Sequence, residues 1–277
     1  MQLYDRTAYR CSKMLTRAYS TSFSLGIRSL ARRHHESIYA IYGFVRVADE
    51  IVDTFHEHDK LSLLRRFSED TQKAIEEGVS ANPILHAFQR VVRKYEMPLE
   101  LIDAFLHSME MDLRPMKYDD ALYKQYIYGS AEVVGLMCLI VFCEGNHEQY
   151  ESLKEPACRL GAAFQKVNFL RDMRSDFDDR GRVYFPEVDY KKFTKEDKLK
   201  IEKDIEADFL ASYEGIKRLP PSARFGVYVA YIYYLKLFDK ICRLPTERIL
   251  MERIRISNRR KLGLLVKSWF RHKLNAI

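Results

Sequence analysis

The chain has 277 residues, of which 47% are hydrophobic and 31% charged, the balance of a globular protein with ample core rather than of a disordered or fibrous one. Only 11 Gly and 8 Pro are present, with no Asn-Gly or Gly-Gly dipeptide, which disfavours tight β-hairpins. Five cysteines (Cys11, Cys138, Cys143, Cys158 and Cys242) show no CxxC spacing, so neither a disulfide framework nor a zinc site is expected, and a reducing compartment fits best.

Helical periodicity runs through the whole chain. The N-terminus MQLYDRTAYRC has no apolar core of a signal peptide, and Tyr4–Tyr19 reads as a first helix broken by the Ser20-Thr21-Ser22-Phe23-Ser24 cluster and Gly26. His34–Phe55 is a long apolar segment, followed by a polar loop over His56–Lys60. Leu61–Glu77 is amphipathic and stops at Gly78. Pro83 opens a helix to about Tyr95, and Pro98 another through Leu113. Asp119–Glu144 is a long segment ending in Gly145-Asn146, and Pro156 sits near the start of the helix carrying QKVNFLRDMRSDFDDRGRVYFP. Tyr190–Leu219 is charged and helical, Pro220-Pro221 punctuate, Phe225–Arg243 follows, and Pro245 precedes a basic terminal helix. The apolar runs near Val133–Phe142 and Phe225–Leu235 fall short of the ~20 residues of a membrane span. With no repeat and no long linker, residues 1–277 read as one all-α domain of roughly ten helices.

Two helices carry matched acidic stripes. Gln165, Asn168, Asp172 and Asp176 fall within about 80° of one another at 100° per residue. Tyr42, Arg46, Asp49 and Asp53 recur at i, i+4, i+7 and i+11 on a helix that is otherwise apolar on almost every side. Either pair alone would pass for a surface couple. Together, on apolar helices far apart in the chain, they imply convergence on one pocket, where buried carboxylates need cations. An all-oxygen donor set of this kind suits Mg²⁺.

The segments Arg46-Val47-Ala48-Asp49-Glu50-Ile51-Val52-Asp53 and Asn168-Phe169-Leu170-Arg171-Asp172-Met173-Arg174-Ser175-Asp176, the second followed by Arg180-Gly181-Arg182-Val183-Tyr184-Phe185-Pro186, resemble the two aspartate-rich motifs of the squalene/phytoene synthase family, the head-to-head trans-isoprenyl diphosphate synthases. Ser20-Thr21-Ser22-Phe23 resembles that family's flap, Tyr128-Gly129-Ser130-Ala131-Glu132-Val133-Val134-Gly135 its Tyr-Gly-x-Ala helix, and Met109-Glu110-Met111-Asp112-Leu113 a bacterial phytoene synthase pattern. The likeness covers essentially the whole chain. Glu50 stands where relatives often have Asp, and Arg174-Ser175 where a Gly-Glu pair is common.

The resemblance implies an isoprenoid-synthase helical fold around a central apolar cavity. It also implies a prenyltransferase that condenses two geranylgeranyl diphosphates to phytoene through a cyclopropylcarbinyl diphosphate, in carotenoid biosynthesis. Squalene or dehydrosqualene synthesis from farnesyl diphosphate is the alternative, and a non-catalytic assembly factor of the same fold is the reading from another class. Asp49, Asp53, Asp172 and Asp176 are the expected catalytic, metal-holding residues, with Asn168 as a neutral ligand for several Mg²⁺ ions, or Mn²⁺ in their place. Ser20, Ser22, Phe23, Tyr42, Arg46, Tyr128, Gln165, Arg171, Tyr184, Tyr234, Arg259 and Arg260 complete the expected substrate site. No GxGxxG segment is present and no nicotinamide cofactor is expected. From Arg253 to Lys273 there are eight Lys/Arg and no Asp or Glu, interleaved with Leu262, Leu264, Leu265, Val266, Trp269 and Phe270. That mixture favours a lipid surface over nucleic acid, so a cytoplasmic protein with peripheral membrane contact is expected.

Overall fold

The computed structural model describes residues 1–114 and 118–273; side chains 258, 259, 262, 272 and 273 lie outside the described part. Helix α1 (Gln2–Tyr19) leads into α2 (Thr21–Arg28), α3 (Arg32–Asp53), α4 (Lys60–Glu77), α5 (Pro83–Lys94) and α6 (Leu99–Met111). Then come α7 (Asp120–Ile127), a π turn (Tyr128–Glu132), α8 (Val133–Cys143) and the long α9 (His147–Arg180). A short 3₁₀ turn (Tyr190–Lys192), α10 (Lys195–Arg218), α11 (Pro221–Cys242), α12 (Thr246–Met251) and α13 (Asn258–Lys273) complete the order. No strand occurs among the described residues, as the all-α expectation required.

Local chemistry sets most of the boundaries. Asp59 accepts from the Ser62 amide at 3.0 Å to start α4, which ends where Gly78 turns left-handed at φ 73°. Thr194 and Asp197 form a reciprocal capping box at the start of α10. The Ser20–Ser24 cluster breaks the first helix at Ser20, as read from sequence, and Thr21–Ser24 then open α2. Ser20 is extended and its hydroxyl accepts from the Phe23 amide at 3.1 Å, so the serine that ends one helix caps the next.

Phe44 on α3 is fully buried and stacks on Phe88 of α5 at 4.0 Å, with Phe67 of α4 and Phe105 of α6 at 5.5 and 5.4 Å. Residues 120–143 run on as one 24-residue rod whose most apolar 18-residue stretch has a mean hydropathy of 1.8, long and apolar enough to cross a membrane, which corrects the shorter apolar run counted in the sequence. In this fold 56% of its most apolar stretch is buried, against α9, α6 and α3, so core packing accounts for the composition. The π turn is pinched on both sides. A Cβ on Gly129 would lie 2.4 Å from the Ala104 carbonyl oxygen of α6, and one on Gly161 of α9 would lie 2.6 Å from that of Ala131.

His34, fully buried near the start of α3, hydrogen-bonds the Ser222 hydroxyl at 3.0 Å through Nε2, with Glu144 at 3.4 Å, while its buried Nδ1 has no partner. Burial pulls its pKa below 6.5 despite Glu144, whose charge acts in the opposite direction. The unfolded chain therefore takes up a proton first as pH falls, and stability is lost below about pH 6.5. His34→Gln is expected to flatten this part of the curve of unfolding free energy against pH, measured by urea titration. An unchanged slope would rule His34 out as its source.

Candidate active site

A cavity of about 610 Å³ runs through the middle of the bundle, within the usual range for small-molecule sites. Its far end is apolar, walled by Leu30, Phe142, Leu153, Ile216 and Leu219; its mouth is polar. Both acidic stripes reach that mouth, because α3 and α9 turn those faces inward from opposite sides: Asp49, Asp53, Asp172 and Asp176 all line the cavity. Ser20, Ser22, Phe23, Tyr42, Arg46, Gln165, Asn168, Arg171, Tyr184 and Tyr234 line it as well.

Guanidinium groups tie the carboxylates together. Arg180 lies 3.4 Å from Asp53 and 3.1 Å from Asp176, joining the two stripes. Arg182 donates to Asp53 at 2.9 Å and to the Asp112 carbonyl at 2.9 Å. Asp172 is held by Arg171 at 3.0 Å and by Arg253 at 2.7 Å. Arg46 pairs with Glu50, sits 3.8 Å from Asp49 and stacks over the Tyr19 ring at 4.2 Å. Asp112, at the end of α6, accepts from the hydroxyls of Tyr126 at 2.6 Å and Tyr184 at 3.0 Å.

Burial leaves several of these carboxylates short of compensation. It pushes Asp49 and Asp176 up to about 7, helped by Asp53 and by Asp172 respectively, and Asp112 up to about 6 against the pull of Arg182. Conversely, the buried Nε–H of Arg46 has no hydrogen-bond acceptor, and that of Arg180 lies 3.4 Å from Asp53 without forming a hydrogen bond. The mouth thus offers oxygens suited to a hard cation and N–H groups suited to phosphate oxygens. Five aspartates (Asp49, Asp53, Asp112, Asp172, Asp176) face five arginines (Arg46, Arg171, Arg180, Arg182, Arg253), so any added diphosphate brings uncompensated negative charge. The donor chemistry therefore fits Mg²⁺, although among the described residues no three His, Cys, Asp or Glu side chains converge as a ready ligand cluster; arginines stand between the carboxylates.

Behind the mouth the walls are aromatic. Phe23 lies 5.6 Å from Tyr42 and 6.1 Å from Tyr234, and Tyr234 stacks on Phe164 at 4.0 Å. The Tyr234 hydroxyl donates to the Asn168 carbonyl oxygen at 3.2 Å, and the Asn168 amide donates to Gln165 at 3.3 Å, leaving one Asn168 lone pair. The half-buried Tyr42 is pushed up by desolvation to about 12 and stays a neutral phenol.

Two expected residues fall elsewhere. Tyr128 is 41% exposed and does not line the cavity: Gly129 must face α6, which turns the preceding side chain outward. Arg260 is exposed on α13, away from the cavity wall, and the Arg259 side chain lies outside the described residues. Conversely, Asp112, Tyr126, Arg180, Arg182 and Arg253 belong to the mouth but are not among the residues expected from sequence. Arg180-Gly181-Arg182 carried a readable signal, since Gly181 at φ 67° ends α9 and doubles the chain back over the mouth. Arg174 points away, to Asp178 at 3.3 Å and to the Met251 carbonyl, so the cation between the two aspartates of the second motif is not a rival for them.

An all-helical bundle enclosing an aromatic-walled cavity beneath a rim of carboxylates and guanidinium groups defines an isoprenoid-synthase-type fold. Residues 16–260 match the squalene/phytoene synthase family, and the chain belongs to it. It is 26% identical over 281 residues to 4,4'-diapophytoene synthase of Staphylococcus haemolyticus, covering 96% of this chain and 94% of that one. It is 28% identical over 265 residues to phytoene synthase of Arthrospira platensis, covering 85% and 84%. A dehydrosqualene synthase solved in complex with ligand superposes with a TM-score of 0.82 at 22% identity, over 100% of this chain and 99% of that one, which establishes the shared fold.

Proposed function

We propose that this prenyltransferase joins two geranylgeranyl diphosphates head to head to give phytoene. The observation that carries the C20 reading is the length of the cavity. Its lining includes Leu153 and Asp172, both on α9 and separated by roughly 28 Å of helix axis at 1.5 Å per residue. With tetrahedral carbon–carbon bonds of about 1.5 Å, an extended geranylgeranyl chain is roughly 20 Å long and a farnesyl chain roughly 15 Å. That span supports the longer chain, whose diphosphate would sit at the aspartates with its tail toward the apolar end.

Arg46, Arg180 and Arg182 would hold the diphosphates through charge-assisted hydrogen bonds, with Ser20 and Ser22 at the same rim. Asp49, Asp53, Asp172, Asp176 and Asn168 would hold Mg²⁺, which when bound supplies the positive charge that lets diphosphate depart. Phe23, Tyr42, Phe164 and Tyr234 present ring faces to an allylic cation and exclude water from it. The phenols of Tyr42 and Tyr234 have pKa values raised by desolvation and stay neutral, so they are poor nucleophiles toward that cation. No reduction is needed to reach phytoene, so no nicotinamide cofactor is invoked.

Condensation of two farnesyl diphosphates is the second reading, favoured by the 4,4'-diapophytoene synthase match along nearly the whole chain. Incubation with Mg²⁺ and each diphosphate separately, followed by identification of the hydrocarbon, decides between them. A C40 hydrocarbon with a central conjugated triene is expected from the C20 substrate; an exclusive C30 product would refute the first reading. Leu153→Trp, which fills the apolar end, is expected to lower C20 turnover about tenfold more than any C15 turnover.

A further inference from the structure

We infer that α13 docks the protein onto an anionic lipid surface. At 100° per residue Val266, Trp269 and Phe270 fall within about 100° on the outward side of this helix. They are 49%, 46% and 55% exposed. Lys267, Arg260 and Arg271 flank that strip on one side and are exposed. The opposite face is seated on α11: Ser268 is buried, Leu264 and Leu265 are half-buried, and Arg271 donates to the Tyr228 hydroxyl at 3.4 Å. The apolar strip is therefore displayed by a helix fixed to the bundle.

Charge selects the occupant. Arg260, Lys267 and Arg271 border the strip and residues 253–273 hold no acid, so the strip sits in a field that attracts anionic headgroups. A second copy of this chain, itself at +7, would meet the same basic face with like charge. Aromatic and aliphatic side chains bordered by cations are the pattern that settles at the boundary between headgroups and acyl chains.

The docked helix also reaches the cavity. Lys261 donates to the Thr21 hydroxyl at 3.3 Å and lies over the Tyr233 ring at 5.1 Å, and Tyr233 lines the cavity beside Ser20 and Ser22. Docking through α13 therefore brings one rim of the mouth toward the bilayer, where a long hydrocarbon is soluble. That hand-over rests on the isoprenoid reading; the docking does not, and it is measured without substrate.

The test is co-sedimentation of the full chain with vesicles of phosphatidylcholine alone or with phosphatidylserine. Binding to the anionic vesicles that weakens with salt, and little binding to neutral ones, is expected. Lys267→Glu is expected to lower the partition coefficient at least about fivefold. Val266→Ser/Phe270→Ser is expected to lower it more than about tenfold, with the melting temperature unchanged. Equal binding to both vesicle types, or unaltered binding by both variants, would overturn the inference. So would a dimer in analytical ultracentrifugation that Val266→Ser/Phe270→Ser abolishes, or tight binding to a DNA or RNA duplex that Lys267→Glu abolishes.

Discussion

Asp172→Asn is expected to lower hydrocarbon formation by about 10³-fold while leaving the helical fold intact, and Asp49→Asn to do the same. Each change keeps the side-chain shape and removes one charge from a mouth where cations must gather before diphosphate can leave. At Asp172 the loss is compounded, because Arg171 and Arg253 then keep their charges without the shared carboxylate between them. Glu50→Gln serves as the contrast. Glu50 pairs with Arg46 and accepts from Thr54 at 3.1 Å but does not line the cavity, so a smaller effect is expected.

Stability should move the other way at Asp49. Burial raises its folded pKa from 3.8 to about 7, so its ionisation opposes folding, and stability is lost as pH rises through that window. The neutral Asp49→Asn variant is therefore expected to melt at or above the wild-type temperature at neutral pH, as befits a residue kept for function at some expense of stability. Mg²⁺-dependent turnover retained by both the Asp49→Asn and Asp172→Asn variants would remove these aspartates from the mechanism.

What could be read from sequence follows the physics of periodicity. The aspartate pairs were legible because i, i+4 spacing places them on one face of helices whose other faces are apolar, and the bundle turns both faces onto one mouth. Asp112 was not singled out, since a lone carboxylate at a helix end has no periodic signature; its place is set by Tyr126, Tyr184 and Arg182 arriving from other elements. Arg253 lies on an extended strap whose course is fixed by burial of Ile254 and Ile256, contacts that no local pattern announces. Tyr128 turns outward because Gly129, with no room for a Cβ against the Ala104 carbonyl, must face α6, a close approach that no sequence motif announces. The α7–α8 rod shows the same limit: hydropathy reports apolar surface without saying whether lipid or protein covers it.

Asp208→Ala is expected to destabilise the protein by about 3–5 kcal/mol, the other large effect in this structure. Asp208 on α10 is 1% exposed and accepts from Lys166 of α9 at 2.7 Å and from Arg159 at 3.1 Å. Lys166 is itself 9% exposed, so losing Asp208 leaves its ammonium in the seam with only Asp204, a 55% exposed partner. Arg159, at 51%, can turn to water. Lys166→Met should cost less, because Asp208 keeps Arg159. The double variant Lys166→Met/Asp208→Leu removes both buried charges and is expected to recover much of the loss, a coupling readable from urea midpoints at constant slope. If Asp208→Ala and the double variant were equally unstable, packing volume rather than stranded charge would be the cause. Lys166 lies on the same helix as Asp172 and Asp176 and within about three turns of both, so the clamp fixes the angle at which α9 presents its carboxylates to α3. A conservative Asp208→Asn variant should therefore bind diphosphate less tightly even at temperatures where it remains folded.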